Sequence, residues 1–164
     1  MPDSVDRVLT QWANERPDLD ASPMGIVGRI QRASRLLDRG LLDFFGDHDL
    51  QLWEFDILAT LRRAGRLTAG ELVTTSMVTS GAITNRIDRL VDRGLVNRET
   101  DPANRRSVLI DLTGPGRQLV DELLVGHIAN ENRLLAALPP QRRTELADLL
   151  RTLLISLGDV PPES

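Results

Sequence analysis

Apolar positions along this chain keep a helical spacing on both flanks and change to strand-like alternation once, between them. Val5, Val8, Leu9 and Trp12 form a short stripe, which predicts a helix over 4–15. RPDLDA at 16–21 reads as a linker. Ser22-Pro23 predicts an N-cap followed by a first-turn proline, opening a long helix that runs to about Phe45. GDHD at 46–49 breaks it, and the next helix spans Leu52 to Arg63, ended by Gly65. Thr68 opens a short helix with Glu71 three residues later, the pattern of a capping box. Ile83, Ile87 and Leu90 then recur at i, i+4, i+7, flanked by Ala82 and Val91, with Gly94 where a helix should stop. Leu95 to Thr100 and Ser107 to Thr113 read as two short strands around the turn DPANRR. A long helix follows from Pro115 to about Leu138, and Pro139-Pro140 interrupts it. The last helix carries Leu146, Leu149, Leu150, Leu153, Leu154 and Leu157 on one stripe.

The middle of this pattern carries the chemistry. Opposite the buried stripe of the helix after residue 80 lie Gly81, Asn85, Asp88, Arg89 and Asp92, with Thr84 at the edge and Thr79 or Ser80 as the cap. Small polar residues crowding the first turns suit a helix whose N-terminal end enters the major groove. Polar residues more often mean only a solvated face, but the next element weighs against that. Arg105 and Arg106 sit at the tip of the hairpin, where a cation can reach a phosphate or the minor groove. A helix followed by a basic two-stranded hairpin is the reading head of a winged helix-turn-helix. The expected fold is therefore mainly α with a small β-hairpin wing, in a single domain over 1–164. Residues 51–113 form the DNA-binding lobe, and 4–45 and 114–158 form helical dimerisation regions. The expected DNA contacts are Thr79, Ser80, Gly81, Thr84, Asn85, Arg89, Arg105 and Arg106.

Charge sharpens this picture. The chain has 20 basic and 24 acidic residues, net −4, which on its own argues against nucleic acid. Its distribution argues the other way: from Arg62 to Arg106 nine arginines face five acids, so that segment is net +4. There is no cysteine, which excludes disulfides, thiolate metal sites and thiol redox sensing. No apolar run approaches the roughly 20 residues that span a bilayer, and the first residues are polar and acidic. The reading is a cytoplasmic protein without a membrane partner. The terminal leucine stripe has two readings, packing on the preceding helix or interlocking with a second chain. The dimer is favoured, because DNA half-sites are read by symmetric pairs.

The runs RIDRLVDRGLVNRETDPANRRSVLIDLT at 86–113, LWEFDILATLRRAG at 52–65 and LTAGELV at 67–73 resemble the MarR family of winged-helix regulators over nearly the whole chain. The resemblance narrows to its urate-responsive, PecS-like branch, through WANERPDLD, EFDILATLRRAG and SGAITNRIDRL. It implies a homodimer on a pseudo-palindromic double-stranded operator, acting as a repressor released by a small anionic effector. The effector is urate, another purine-like anion, or a tricarboxylate. It also implies a ligand set of Trp12, Asp56, Arg86 and Arg98, with no cofactor and no metal. The loop after Gly65 is shorter than is common in the branch, which alters the pocket wall near Asp56. In the switch so implied, Asp56 pairs with Arg98 until an anion beside Trp12 takes Arg86 and displaces Asp56 by like-charge repulsion.

Competing classes find less support. His48 in GDHD and His127, with Glu131 at i+4, make neither a closed metal site nor a nucleophile–base pair, so no enzyme is expected. A winged helix used for protein contact, or a DNA-binding regulator without a small ligand, remains the alternative. The plain structural reading of the four ligand residues is a core tryptophan and a buried ion pair.

Overall fold

The computed structural model describes residues 1–75 and 83–160. Its elements are α1 (Ser4–Glu15), α2 (Ser22–Gly46), α3 (Leu52–Ala64), β1 (Leu67–Thr68), α4 (Ala69–Thr75), α5 (Ile83–Asp92), β2 (Val96–Thr100), β3 (Val108–Leu112), α6 (Gly114–Leu134) and α7 (Pro140–Ser156). Among the described residues, no helix is long and apolar enough to cross a membrane.

Most boundaries follow from local chemistry. α1 is capped by Asp3, whose carboxylate accepts the N–H groups of Val5 and Asp6 at 2.8 and 2.9 Å. α2 departs from expectation by one position: Ser22 lies inside the helix, and the N-cap is Ala21. The carboxylate of Asp20 does the capping instead, accepting the N–H and hydroxyl of Ser22 at 2.9 and 3.0 Å. Gly65 and Gly94 end α3 and follow α5 with φ of +80° and +68°, the left-handed region that a Cβ disfavours. α6 stops at Leu134, short of the expected Leu138, and turns fill the gap before Pro139.

The wing is larger than its sequence pattern suggests. β2 and β3 pair antiparallel, with Val96 opposite Leu112 and Thr100 opposite Val108. β1 then adds to the far side of β3, Leu67 opposite Ile110, giving a three-stranded sheet in the order β1-β3-β2. Two residues carry no alternation, so β1 was unreadable from periodicity and depends on its partner strand. On β3, Ile110 and Leu112 are buried and Val108, at the wing's outer end, is 46% exposed.

Two apolar clusters hold the fold. The larger joins Ile57, Leu58 and Leu61 of α3 to Leu72, to Ile83, Ile87 and Leu90 of α5, to the sheet, and to Val120 of α6. Leu90 is fully buried, and truncating such a side chain to alanine costs about 2–5 kcal/mol. The smaller cluster holds Phe45, Leu50, Phe55 and Leu123, with the His127 ring 4.8 Å from Phe55. Leu119 touches both clusters, so the lobe is continuous with α2 and α6. α7 has no buried residue, and Leu149, Leu154 and Leu157 of its stripe are exposed. Packing onto α6 therefore does not cover that stripe.

Candidate nucleic-acid interface and ligand site

The recognition helix of the lobe is α5. Ile83, Ile87 and Leu90 face the core, and Thr84 and Asn85 point outward and are exposed. The other candidates of its first turns, Thr79, Ser80 and Gly81, lie outside the described residues, as does Ala82. α4, the preceding helix, is set by the expected capping box. Glu71 accepts the N–H and hydroxyl of Thr68 at 2.7 and 2.8 Å, and the Glu71 N–H donates to the Thr68 hydroxyl at 3.2 Å. The Thr68 N–H holds the Glu71 carboxyl below its ordinary value.

Arg105 and Arg106 are exposed on the wing tip, as expected. The loop under them is built from its own polar groups. Asp101 accepts the N–H of Ala103 at 2.8 Å, Asn104 accepts the N–H of Arg106 at 3.2 Å, and the Asn104 amide donates to the Ser107 hydroxyl at 2.9 Å. Neither arginine belongs to any ion pair among the described residues, so both cations are available to a phosphate. Pairing trims the basic segment elsewhere: Arg62 is held by Asp121, Arg66 by Glu99 and Asp111, Arg93 by Glu54, and Arg98 by Asp88.

The recognition helix is held on both edges, which residue spacing alone did not reveal. On the wing side, Arg98 of β2 meets Asp88 of α5 at 2.6 Å. The carboxylate expected for Arg98 was Asp56; the ion pair found at Arg98 is with Asp88. Asp88 lies two turns before Gly94, close to the strand that follows, and reaches the wing first. On the other edge, Arg86, Arg89 and Arg93 stand at i, i+3, i+7 and face α3. The guanidinium carbons of Arg86 and Arg89 lie 5.3 and 5.8 Å from the centre of the Trp53 ring. Such contacts contribute about 0.5–1 kcal/mol at exposed sites. Arg93 donates to Glu54 at 2.9 Å and to the Asp49 carbonyl at 3.1 Å. Glu54 is 4% exposed and also accepts the Gln51 N–H at 2.8 Å. Trp53, Glu54 and Arg93 were missed as site residues, although the i, i+3, i+7 spacing of two arginines on α5 and one just after it was a signal that could have found them.

The four ligand candidates are only partly gathered. Asp56 on α3 and Arg86 on α5 are half-buried, and Arg98 is exposed on β2, paired with Asp88. Trp12 is 42% exposed on α1, which packs along α2. The aromatic ring beside Arg86 in one chain is Trp53. Arg89, expected to face DNA, lies toward that same ring. His48 faces its own helix, with Nδ1 2.8 Å from the Phe44 carbonyl. His127 meets Glu131 at 3.3 Å, the pairing its spacing allowed.

Comparison with known proteins adds to this geometry. Residues 50–108 match the model of the MarR family. The chain is 39% identical over 149 residues to the HTH-type transcriptional regulator PecS of Dickeya dadantii (strain 3937), covering 89% of this chain and 90% of PecS. Among solved structures, BpsR of Bordetella bronchiseptica superposes with a TM-score of 0.73 and 27% identity, covering 78% of this chain and 91% of that one. It was solved to explain regulation of its DNA binding by 6-hydroxynicotinic acid. A mutant MarR from E. coli complexed with operator DNA superposes with a TM-score of 0.72 and 26% identity, covering 87% and 97%.

Proposed function

From the premise that the chain belongs to the MarR family, as a DNA-binding transcriptional regulator and not an enzyme, we propose that it is a homodimeric repressor released from its operator by a small anion. The observation that carries this reading is the double attachment of the recognition helix, by Asp88–Arg98 to the wing and by Trp53 and Glu54 to α3. Two of the expected ligand residues, Arg86 and Arg98, belong to those attachments. An anion that draws on either cation therefore acts on the reading head directly.

The mechanism is electrostatic. Thr79, Ser80, Gly81, Thr84 and Asn85 approach base edges, while Arg105 and Arg106 reach the backbone. Two such heads, related by two-fold symmetry, meet successive major grooves about one helical turn apart. The effector binds among Trp12, Asp56, Arg86 and Arg98, and its charge lies beside the Asp56 carboxylate. Like charges at a few ångströms disfavour one another. An anion that takes Arg98 competes with Asp88 for it, and one that takes Arg86 draws it from the Trp53 ring, so the recognition helix loosens from wing and α3 and loses register with the grooves. The resemblance noted in the sequence supports urate, a purine-like anion or a tricarboxylate as effector, and regulation of BpsR DNA binding by 6-hydroxynicotinic acid supports control by a small anion.

A gel-shift assay on the region upstream of its own gene tests this with urate, xanthine, citrate and trans-aconitate. The proposal expects at least one of them to release DNA at a concentration that also shifts the melting temperature. If none does either, the sensor half of the proposal fails for these ligands and a regulator without a small-molecule ligand remains.

A further inference from the structure

The wing extends from the lobe with no apolar anchor beyond its base. Val96, Ile110 and Leu112 are buried where it joins the core, and no residue from 97 to 109 is buried. A two-stranded ribbon is marginal on its own, so the place of the tip depends on what braces its faces. Charge makes that place matter. Between Val96 and Leu112 three arginines (Arg98, Arg105, Arg106) stand against three acids (Glu99, Asp101, Asp111), so the wing has no surplus of positive charge. Its attraction for phosphate rests on where Arg105 and Arg106 stand, not on its total charge.

Arg66 braces the outer face. It directly precedes β1, whose Leu67 is opposite Ile110, so it comes level with Asp111 on β3. Its Nε donates to Asp111 Oδ2 at 2.9 Å and its Nη1 to Glu99 Oε2 at 3.2 Å. One guanidinium fork thus spans the sheet from β1 over β3 to β2. Asp111 is fixed in turn, because its other oxygen accepts the Leu112 N–H at 2.8 Å. Glu99 and Arg98 are neighbours on β2, so they point to opposite faces. The Arg66 fork and the Arg98–Asp88 pair therefore brace the same strand from its two sides. Arg66 is 54% exposed and Glu99 50%, and exposed ion pairs add little to stability. We infer that Arg66 is a positioning residue for DNA binding, which clips Glu99 and Asp111 so that the wing tip presents Arg105 and Arg106 to the phosphates.

The inference rests on the reading that the tip arginines reach the DNA backbone, and the test separates the two. Affinity for a random duplex at low salt is measured by anisotropy for the full chain, for Arg66→Gln, for Arg105→Ala/Arg106→Ala, for all three changes together, and for Glu99→Ala. Arg66→Gln should melt within about 4 °C of the wild type and bind about fivefold more weakly. In the chain already lacking both tip arginines the same change should cost less than about twofold, since a residue that acts through the tip has nothing left to place. Glu99→Ala gives the sharpest contrast. It removes a negative charge from the wing, which by charge alone tightens binding to phosphate; the clip predicts binding about threefold weaker. If Arg66→Gln fails to fold, the sign of the Glu99→Ala effect decides. An equal loss from Arg66→Gln with and without the tip arginines, no loss with them, or tighter binding by Glu99→Ala overturns the clip and leaves the wing reading standing. Wild-type affinity in Arg105→Ala/Arg106→Ala removes the wing reading and the clip with it.

Discussion

At the scale of single residues, the wing tip gives the plainest expectation. Arg105 and Arg106 are exposed and outside any ion pair among the described residues. Replacing both with alanine should weaken binding to every duplex alike and flatten the dependence of log K on log salt by about one unit per lost phosphate contact. An unchanged slope, measured by anisotropy across a salt series, would show that neither touches the backbone. The ligand set makes a second expectation. Arg86→Ala should abolish the response to the anion, and Asp56→Asn should still bind the anion while releasing DNA poorly. If both variants only lower the melting temperature, and no anion alters DNA affinity of the wild type, the set is a structural one. Some of these residues were legible in the sequence because their role depends on position along one element, as with Arg105 and Arg106 in a turn. The partner of Arg98 was not legible in the same way. Its carboxylate is chosen by how a strand folds back on a helix, and Asp88 at 2.6 Å follows from the tertiary fold.

At the scale of elements, periodicity and caps located nearly every helix, since each carries its own stripe and its own stop. α1 spans the expected 4–15, and the Thr68–Glu71 box starts α4. Because Glu71 titrates below its ordinary value in the folded chain, its cap is fully present above the ordinary carboxylate pKa and is lost as pH falls through the lowered one. Strand β1 was missed because two residues hold no pattern of their own. The junction of α3 and α5 was missed for a related reason, since it pairs residues 39 positions apart. Glu54→Gln should show its worth. The buried carboxylate loses its charge while Arg93 and the Gln51 N–H keep a weaker acceptor, a cost of about 1–3 kcal/mol. For a chain of this size that lowers the melting temperature by about 2–4 °C per kcal/mol. An unchanged melting temperature by calorimetry would mean that Arg93 contributes nothing to seating the recognition helix.

At the scale of the whole molecule, the single chain is incomplete as a reader of DNA. The leucine stripe of α7 has no buried member, and Trp12 on α1 is 42% exposed. Both features suit a second copy of the chain. Substituting aspartate at Leu150 and Leu154 should dissociate the dimer and abolish specific binding together, read by sedimentation and gel shift on the same samples. Tight operator binding by a proven monomer would contradict the paired-head account. The central claim, that this chain holds DNA through its basic wing and lets go when an anion binds, is tested most directly by one titration. The dissociation constant for the fragment upstream of its own gene and for a random duplex of equal length is measured across a salt series, with and without urate. The account predicts steep salt dependence on both duplexes, tighter binding to the upstream fragment, and loss of that preference when urate is added. Equal, salt-insensitive binding to both, unaffected by urate or by the other anions, would contradict it.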